Sequence, residues 1–307
     1  MRENEFVEQL KLRFPVRDPV STGIGDDGAV LTNADGSASV IVTDMLLDGV
    51  HFDLANCTPE SVGRKAVAVN LSDLAAMGCG PVAAFVSIAV SGLAESSRLL
   101  QGICRGIQTM SEQFGFTVAG GDTNSWDGPF AVNVCMIGNP FGDRAILRST
   151  ARPGDSVIVT GPLGGSLRSG RHLAFHPRLH VSQLLATSFD VHAMMDISDG
   201  LGIDLHRMMD ASGTGSLLTA DSIPIHDDVP TDWSQPKRLN AAMSDGEDFE
   251  LLIALPSEQT ESAGRLVQEH AGSAMTVIGT VTKRRGCRMV DVDGSERDLA
   301  PSGWQHY

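Results

Sequence analysis

The sequence predicts an α/β protein of the α+β type with two domains. Three observations lead to this class: the length of 307 residues, short apolar runs that alternate with long helical segments, and acidic or glycine-rich turns where the apolar runs end. A chain of this length allows about two domains of ~100–200 residues each. The polar segment Arg148–Asp155 is the expected boundary, which gives an N-terminal domain of residues 1–147 and a C-terminal domain of residues 148–307.

The N-terminal half is predicted to form a sheet with helices covering one of its faces. We expect helices at 3–14, 58–77 and 95–114 and strands at 40–42, 81–90, 115–119 and 130–138. The helix at 58–77 has the clearest signals, because Thr58 suits the N-cap, Pro59 the first helical position and Gly78 the C-terminal stop. The strand at 115–119 leads into paired glycines, so Asp122 is expected at a strand end.

The C-terminal half is predicted to contain strands at 156–160, 191–195, 251–255 and 275–279, a helix at 257–270 and a polar hairpin. Ser198 is expected as the N-cap of a further helix that carries Leu201 and Leu205 on one face. The basic and histidine-rich residues 168–180 match no zinc-binding spacing, and we expect them to form a solvated surface.

Composition limits the classes of partner. The formal net charge of −15 argues against nucleic-acid binding, which requires a basic patch, and an anionic substrate would need a divalent metal ion as intermediary. The charged N-terminus leads into no long apolar run, so neither a signal peptide nor a membrane span is expected. Five scattered cysteines without CxxC pairing predict reduced thiols in a cytoplasmic protein.

Acidic residues recur at the expected strand ends and turns and on one helix. Five of them stand out: Asp27, Asp44, Asp73, Asp122 and Asp196. Each alone is also explained by a solvated turn or an outward-facing helix position, and only one member of the Asp26–Asp27 pair is expected to face a site. If they gather in one cleft, their repulsion requires divalent cations. Oxygen ligands suit Mg²⁺, which bridges to substrate phosphates, so the pattern favours phosphoryl transfer.

Nine motifs in this chain resemble those of the thiamine-monophosphate kinase family, which is related to aminoimidazole ribonucleotide synthetase, selenophosphate synthetase and a hydrogenase-maturation protein. They are Gly23–Asp27, Thr43–Asp44 with Gly49–Phe52, Lys65–Gly78, Gly120–Thr123, Arg148–Ser149 with Arg152–Asp155, Thr160–Ser166, Asp196–Leu201, Gly246–Leu251 and Gly303–Trp304. The motifs span nearly the whole chain in the order of the family. The helix motif Lys65–Gly78 and the loop that contains His51 favour the thiamine branch.

The resemblance implies a two-domain synthetase-like fold. The N-terminal mixed sheet would form a barrel with a second subunit at a homodimer interface, ATP would lie between the sheets of the two protomers, and the C-terminal α+β domain would close over it. The implied metal ligands are Asp27, Thr43, Asp44, Asp73, Asp122, Asp196 and Asp199. The implied nucleotide contacts are Gly121, Asp122, Arg148 and Ser198, and the implied substrate contacts are His51, Glu247 and Trp304. Asp199 also fits a simple helix-capping role.

The implied reaction is transfer of a phosphoryl group from ATP to thiamine monophosphate, directly and in line, with several Mg²⁺ ions. Asp44, Asp73, Asp122 and Arg148 are the expected catalytic residues. Neither a nucleic acid nor a membrane is expected as a partner. Trp304 is expected to pack against the thiamine rings, where a cation over an aromatic face gains roughly 0.5–2 kcal/mol.

Several positions depart from the family pattern. Val42 replaces a usual hydroxyl residue, Asn124 and Ser125 stand where Thr-Arg is usual, Asp245 replaces a glycine, and the segment between Gly165 and Asp196 is short. These departures leave two alternatives open: an ATP-dependent enzyme for another small phosphorylated substrate, or a catalytically silent protein that binds nucleotide.

Overall fold

The computed structural model describes residues 3–92 and 96–304. The predicted α/β fold is confirmed: two separate sheets follow each other along the chain, and helices pack against both. The expected boundary at residues 147–148 falls in the segment between the sheets and stays a prediction. Among the described residues, no helix is both long and apolar enough to cross a membrane.

The first sheet has six strands in the order β1-β2-β3-β6-β4-β5. The strands are β1 (Val20–Thr22), β2 (Ala29–Thr32), β3 (Ala38–Leu47), β4 (Cys79–Val90), β5 (Thr117–Ser125) and β6 (Ala131–Pro140), and the helices of this half are α1 (Glu3–Arg13), α2 (Pro59–Ala76) and α3 (Ser97–Phe114). The pair β4–β5 is parallel and the other pairs are antiparallel. The sheet is therefore mixed, as the family resemblance implied.

The second sheet has seven strands in the order β13-β12-β9-β11-β7-β10-β8, and only β9–β12 is parallel. Its strands are β7 (Asp155–Val159), β8 (Ala193–Asp196), β9 (Gly215–Thr219), β10 (Leu251–Pro256), β11 (Thr276–Thr282), β12 (Gly286–Val290) and β13 (Glu296–Asp298). The helices are α4 (Ser166–Ser169), α5 (Leu179–Ser188), α6 (Leu201–Ser212), α7 (Gln235–Ser244) and α8 (Thr260–Ala271), with 3-10 turns at Arg171–Leu173, Ala220–Ser222 and Ser257–Gln259.

Helix α2 joins the two halves. Its start is as predicted, because the Thr58 side chain accepts a hydrogen bond from the amide of Ser61 and Pro59 occupies the first turn. It packs on the first sheet and α3, and also on β8 and α5 of the second half. One hydrophobic core therefore runs through both halves, and α2 is buried on nearly all sides instead of along one stripe. Even its polar residues Lys65, Asn70 and Ser72 are buried.

Three element predictions are wrong at their ends. The strand expected at 40–42 is β3, which continues to Leu47, so Asp44 lies inside a strand and not just past its end. Strand β5 does not stop before the paired glycines but continues to Ser125, because its pairing with β4 extends to Val90; Asp122 therefore lies inside a strand. Helix α6 begins at Leu201 with Gly200, not Ser198, as the N-cap. The expected helix start at Glu95 lies outside the described residues, and α3 is described from Ser97.

Candidate active site

A cleft of about 600 Å³ opens between the two halves, where β3 and α2 meet the ends of β8 and β10. Its lining combines carboxylates with apolar side chains. The acids are Asp44, Asp73, Asp196, Asp199, Asp245 and Glu247. His51, Leu167, Ser198 and Trp304 also line the cleft. Eight of the residues expected at the site therefore line one cavity.

Three carboxylates form the centre of the site. Oxygen atoms of Asp27, Asp73 and Asp196 lie within 4.8 Å of one another. They come from the turn before β2, the last turns of α2 and the end of β8. Burial raises the pKa of Asp73 and of Asp196 well above the ordinary value, and neighbouring carboxylates raise both further. Three like charges at this separation require protons or cations between them.

Asp44 extends this centre from the first sheet. It lies on the helix-covered face of β3, between the buried residues Val42 and Leu46 on the same face. Burial raises its pKa, and a hydrogen bond with Asp73 works in the opposite direction. The same interaction raises the pKa of Asp73. Val42, the departure from the family pattern, is a core residue that is only 1% exposed.

Arg148 neutralises the other side of the centre. Its Nη2 donates to Asp27 in a short ion pair, its backbone amide donates to Asp26 Oδ2 at 3.2 Å, and its Nε lies 3.6 Å from Asp26 Oδ1. Burial would lower the pKa of Arg148, but Asp27 and Asp26 outweigh it and raise that pKa. Of this pair, only Asp27 is among the converging carboxylates, in agreement with the expectation that at most one of the two faces the site.

The donor set fits a hard divalent cation. Carboxylate oxygens from Asp27, Asp73 and Asp196 converge without sulfur or imidazole, the arrangement that Mg²⁺ prefers. Ser72 donates a hydrogen bond of 2.6 Å to Asp196 Oδ2, so this carboxylate is held from behind. Ser72 was not identified from the sequence, because a buried serine on a helix carries no local signal of its distant partner.

His51, Glu247 and Trp304 line the same cleft as Asp44, Asp73 and Asp196. The Nδ1 atom of His51 accepts a hydrogen bond of 3.0 Å from the amide of Leu47, so the proton of the neutral ring is on Nε2. Trp304 is 51% exposed, and its amide donates to the carbonyl oxygen of Asp199 at 2.9 Å. The predicted substrate residues therefore lie together, and they lie beside the acidic centre.

A strained loop presents Glu247 to the cleft. Glu247 and Phe249 have φ angles of 58° and 52°, in the left-handed region that residues with a Cβ rarely adopt. Gly246 has φ of 69°, and a Cβ there would lie 2.9 Å from the carbonyl oxygen of Ser198. The amide of Glu247 donates to that same oxygen at 2.6 Å. The loop therefore follows the end of β8 closely and carries one acid into the cleft.

The basic segment 168–180 anchors this loop from behind. Arg171 donates to Asp248 Oδ1 at 3.0 Å, and Arg178 donates through Nε to Glu250 Oε2 at 2.7 Å. Both acids are nearly inaccessible to solvent, and burial raises the pKa of Asp248 to about 7. His172 is also buried. The prediction of a solvated basic surface is wrong for Arg171, His172 and Arg178, because these side chains contact acids that lie about 70 residues later in the chain. Arg168, His176 and His180 are exposed, as predicted.

The start of α6 is organised by an acid inside the helix. Asp204 Oδ2 accepts hydrogen bonds of 3.1 Å from the amides of Asp199 and Gly200, which takes the role expected of Ser198. Asp199 is paired with Arg207 at 2.5 Å. Asp245 Oδ2 accepts from the amide of Gly165 at 3.0 Å, so the extra acid of this chain is partly neutralised by backbone.

Asp122 is not part of the acidic centre of its own chain. In the first sheet Asp44 lies opposite Val134, which lies opposite Val86, which lies opposite Gly121. Asp44 and β5 are thus three strand spacings apart, about 14 Å. Asp122 follows Gly121 and therefore points to the other face of the sheet, where it is exposed.

The Thr43 hydroxyl is also on that other face and donates to Asn133 Oδ1 at 3.3 Å. The face is open and partly apolar: Met45 is 59% and Phe85 is 40% exposed. Two predicted metal ligands, Thr43 and Asp122, thus have side chains on a surface that the described part of this chain leaves uncovered.

Comparison with known proteins identifies relatives along the whole chain. Residues 25–139 match the AIR synthase related protein, N-terminal domain, and residues 152–292 match the AIR synthase related protein, C-terminal domain. The thiamine-monophosphate kinase of Rhodopirellula baltica is 36% identical, with 99% of this chain and 97% of the relative covered. That of Bacillus subtilis is 31% identical with 100% of each chain covered.

Solved structures of the same fold are also similar. The structure of AaThiL complexed with AMPPCP and TMP superposes with a TM-score of 0.83 at 27% identity, covering 100% of this chain and 97% of that one. The thiamine-monophosphate kinase from Stenotrophomonas maltophilia gives a TM-score of 0.74 at 28% identity, covering 98% and 99%. The two-domain architecture is therefore common to this chain and these structures.

Proposed function

The chain belongs to the thiamine-monophosphate kinase family of AIR synthase related proteins, and on that premise we propose that its cleft transfers the γ-phosphoryl group of ATP to thiamine monophosphate. The observation that carries the proposal is the convergence of Asp27, Asp73 and Asp196 beside His51 and Glu247 in one cleft. A charge-neutralising centre for phosphates thus adjoins the predicted substrate residues.

Mg²⁺ ions at the acidic centre would supply the positive charge that neutralises the phosphates of ATP. Asp27, Asp44, Asp73 and Asp196 would hold them, since these carboxylates share one region and are raised in pKa by burial. Asp199 lines the same cleft three residues after Asp196 and would contribute from its edge. Arg148 is held against Asp27 and is available for a nucleotide phosphate if that ion pair opens.

The chemistry needs positioning more than proton transfer. An oxygen of the acceptor phosphate forms a bond to the γ-phosphorus while the bond from that phosphorus to the β,γ-bridging oxygen breaks, which yields ADP and thiamine diphosphate. The attacking oxygen is already anionic at neutral pH, so the chain need supply no general base. The task of its side chains is to align the two phosphates and exclude water.

The acceptor would be held where His51, Glu247 and Trp304 line the cleft, which is called the acceptor end. Glu247 and the Nε2–H of His51 provide polar contacts, and Trp304 and Leu167 provide exposed apolar surface. Trp304 suits the flat, cationic thiamine rings. Ser198 also lines the cleft and suits a nucleotide contact.

A homodimer would complete the site. The face that carries Met45 and Phe85 is unpartnered in the described chain, and the edge strand β5 exposes Gly121 and Asp122. Because Asp122 points away from the acidic centre of its own chain, we propose that Gly121 and Asp122 contact nucleotide bound mainly by the partner subunit. Thr43 would serve at the same interface. A cytoplasmic location stays a prediction of the composition.

A steady-state assay tests the function. Purified protein is incubated with ATP, MgCl₂ and thiamine monophosphate, and ADP and thiamine diphosphate are quantified by chromatography. The proposal requires equimolar formation of both products and loss of both in Asp44→Asn and Asp73→Asn. The apo melting temperature of these variants is expected to be unchanged or higher, because like-charge repulsion is relieved.

The same assay separates the alternatives. ATP turnover only with another phosphorylated acceptor would assign a different substrate. Nucleotide binding without turnover of any acceptor would assign a silent protein. Wild-type rates in both aspartate variants would contradict the role of the acidic centre.

A further inference from the structure

Lys65 is a fully buried cation behind the acceptor end of the cleft. Its Nζ lies 2.5 Å from Glu247 Oε2, 2.7 Å from the carbonyl oxygen of His51 and 2.9 Å from Nδ1 of His172. The contact with Glu247 is an ion pair, and the contacts with His51 and His172 are hydrogen bonds. Lys65 is 0% exposed and does not line the cleft, so it does not itself reach a bound ligand.

The three partners of Lys65 come from three separate segments. The His51 carbonyl belongs to the loop after β3, His172 belongs to the 3-10 turn Arg171–Leu173, and Glu247 belongs to the strained loop after α7. These segments surround the acceptor end of the cleft. Lys65 stands eight residues before Asp73 on α2, about 12 Å along the helix axis. One rigid helix therefore carries both an acid of the metal centre and the cation that ties these segments together.

The charge of Glu247 depends on this cation. Burial alone would raise the pKa of Glu247, but contacts with His172 and Lys65 lower it. The Glu247 side chain also lies near Asp44, whose pKa it raises. Without Lys65, an ionised Glu247 would be repelled by the acidic centre and drawn out of its place in the strained loop. A buried ion is tolerated only where it is paired.

We propose that Lys65 is a positioning residue that sets the affinity of the enzyme for its phosphate acceptor by holding Glu247 and the His51 loop in place. This inference rests on the proposed function. Because no contact of Lys65 reaches the acidic centre, its removal should affect the acceptor and leave ATP binding nearly unchanged.

Steady-state kinetics of Lys65→Met, Glu247→Gln and the double variant test the proposal. Lys65→Met removes the charge and keeps a similar chain length. We expect it to raise KM for thiamine monophosphate by about 10-fold or more, with KM for ATP and kcat within about 3-fold of wild type. If Lys65 acts through Glu247, the double variant should raise the acceptor KM no further than Glu247→Gln alone. Lys283→Met, the same change at an exposed lysine, is the control and should alter nothing.

The outcomes are distinct. A Lys65→Met variant that raises both KM values equally, or lowers kcat alone, overturns the proposal, and so do effects that multiply in the double variant. If Lys65→Met does not fold, His172→Ala is measured in its place, because this change removes one partner of Lys65 and keeps the lysine paired with Glu247. An unchanged KM for the acceptor in His172→Ala overturns the proposal. A wild-type protein that does not use thiamine monophosphate contradicts the proposed function and the role of Lys65 together, whereas an active wild type with an unaffected Lys65→Met variant contradicts the role of Lys65 alone.

Discussion

Ser72 donates a hydrogen bond of 2.6 Å to Asp196, a residue that lies 124 positions later, in β8 of the second sheet. The bond connects α2 with β8 inside the buried centre of the cleft. Asp196 is also one of the three acids whose carboxylate oxygens lie within 4.8 Å of one another. The relative position of the two halves of the chain and the geometry of the acidic centre are therefore coupled through this pair.

Ser72→Ala is expected to weaken metal activation more than turnover. Loss of a hydrogen bond to a ligating carboxylate typically lowers metal affinity by 10- to 100-fold, so the Mg²⁺ concentration for half-maximal activity should rise by about 10-fold. Measurement of rate against MgCl₂ concentration at saturating substrates checks this.

Ser182→Ala is the matched control, because the Ser182 hydroxyl also donates a buried hydrogen bond to another element, but its acceptor is the carbonyl oxygen of Ala75 on α2 and not a carboxylate. Its activation constant should equal that of the wild type. Equal activation constants for Ser72→Ala and wild type would show that the bond does not orient a metal ligand.

The stability of the metal-free protein is expected to fall as pH rises from about 4 to about 7. Burial raises the pKa of Asp26, Asp204 and Asp248 to about 7, from an ordinary value of 3.8. Between these values the folded protein holds more protons than the unfolded chain, so deprotonation favours unfolding. Urea unfolding at several pH values in EDTA measures the effect.

Asp204→Asn removes one of these titrating groups and should reduce the slope of unfolding free energy against pH. A free energy of unfolding that increases through this pH range in the wild type would contradict the raised pKa values.

Arg178→Met is expected to destabilise the protein by about 3 kcal/mol. Within the described part of the chain, it leaves the buried carboxylate of Glu250 with only the Thr160 hydroxyl as a side-chain partner. Arg265→Met is the control: Arg265 pairs with Glu261 at 2.9 Å, but both side chains are exposed, and no measurable change is expected. Chemical denaturation of both variants decides whether segment 168–180 is structural. Equal stability of the two variants would indicate that segment 168–180 is a solvated surface.

The parts of the structure with local signals were predictable from the sequence. Helix α2 could be predicted because its end signals, Thr58, Pro59 and Gly78, act on their immediate neighbours in the sequence. The gathering of Asp27, Asp73 and Asp196 was implied by the family resemblance, because each of the three acids lies in one of the matching motifs.

The parts that depend on distant partners were not predictable. The role of Arg178 requires Glu250, and the burial of Lys65 requires Glu247 and His172, and nothing near either cation in sequence indicates these partners. The end of β5 is decided by pairing with β4, so Asp122 was expected at a strand end instead of inside a strand.

Mixing two inactive variants tests the position of Asp122. If Asp122 serves the partner subunit, Asp44→Asn and Asp122→Asn are each inactive as homodimers, but hybrid dimers contain one intact site. Random reassociation should restore about a quarter of wild-type activity. Mixtures that stay inactive, although mass spectrometry shows hybrid dimers, would place Asp122 and Asp44 in the same site of one subunit.

The most direct measurement is the location of metal ions in a crystal grown with MnCl₂ and a non-hydrolysable ATP analogue, from anomalous scattering of manganese. The account predicts at least one strong peak bound by carboxylate oxygens of Asp27, Asp73 and Asp196, next to the phosphates of the analogue. The account would be contradicted if the nucleotide were bound with manganese at other residues while the carboxylates of Asp27, Asp73 and Asp196 held no metal ion.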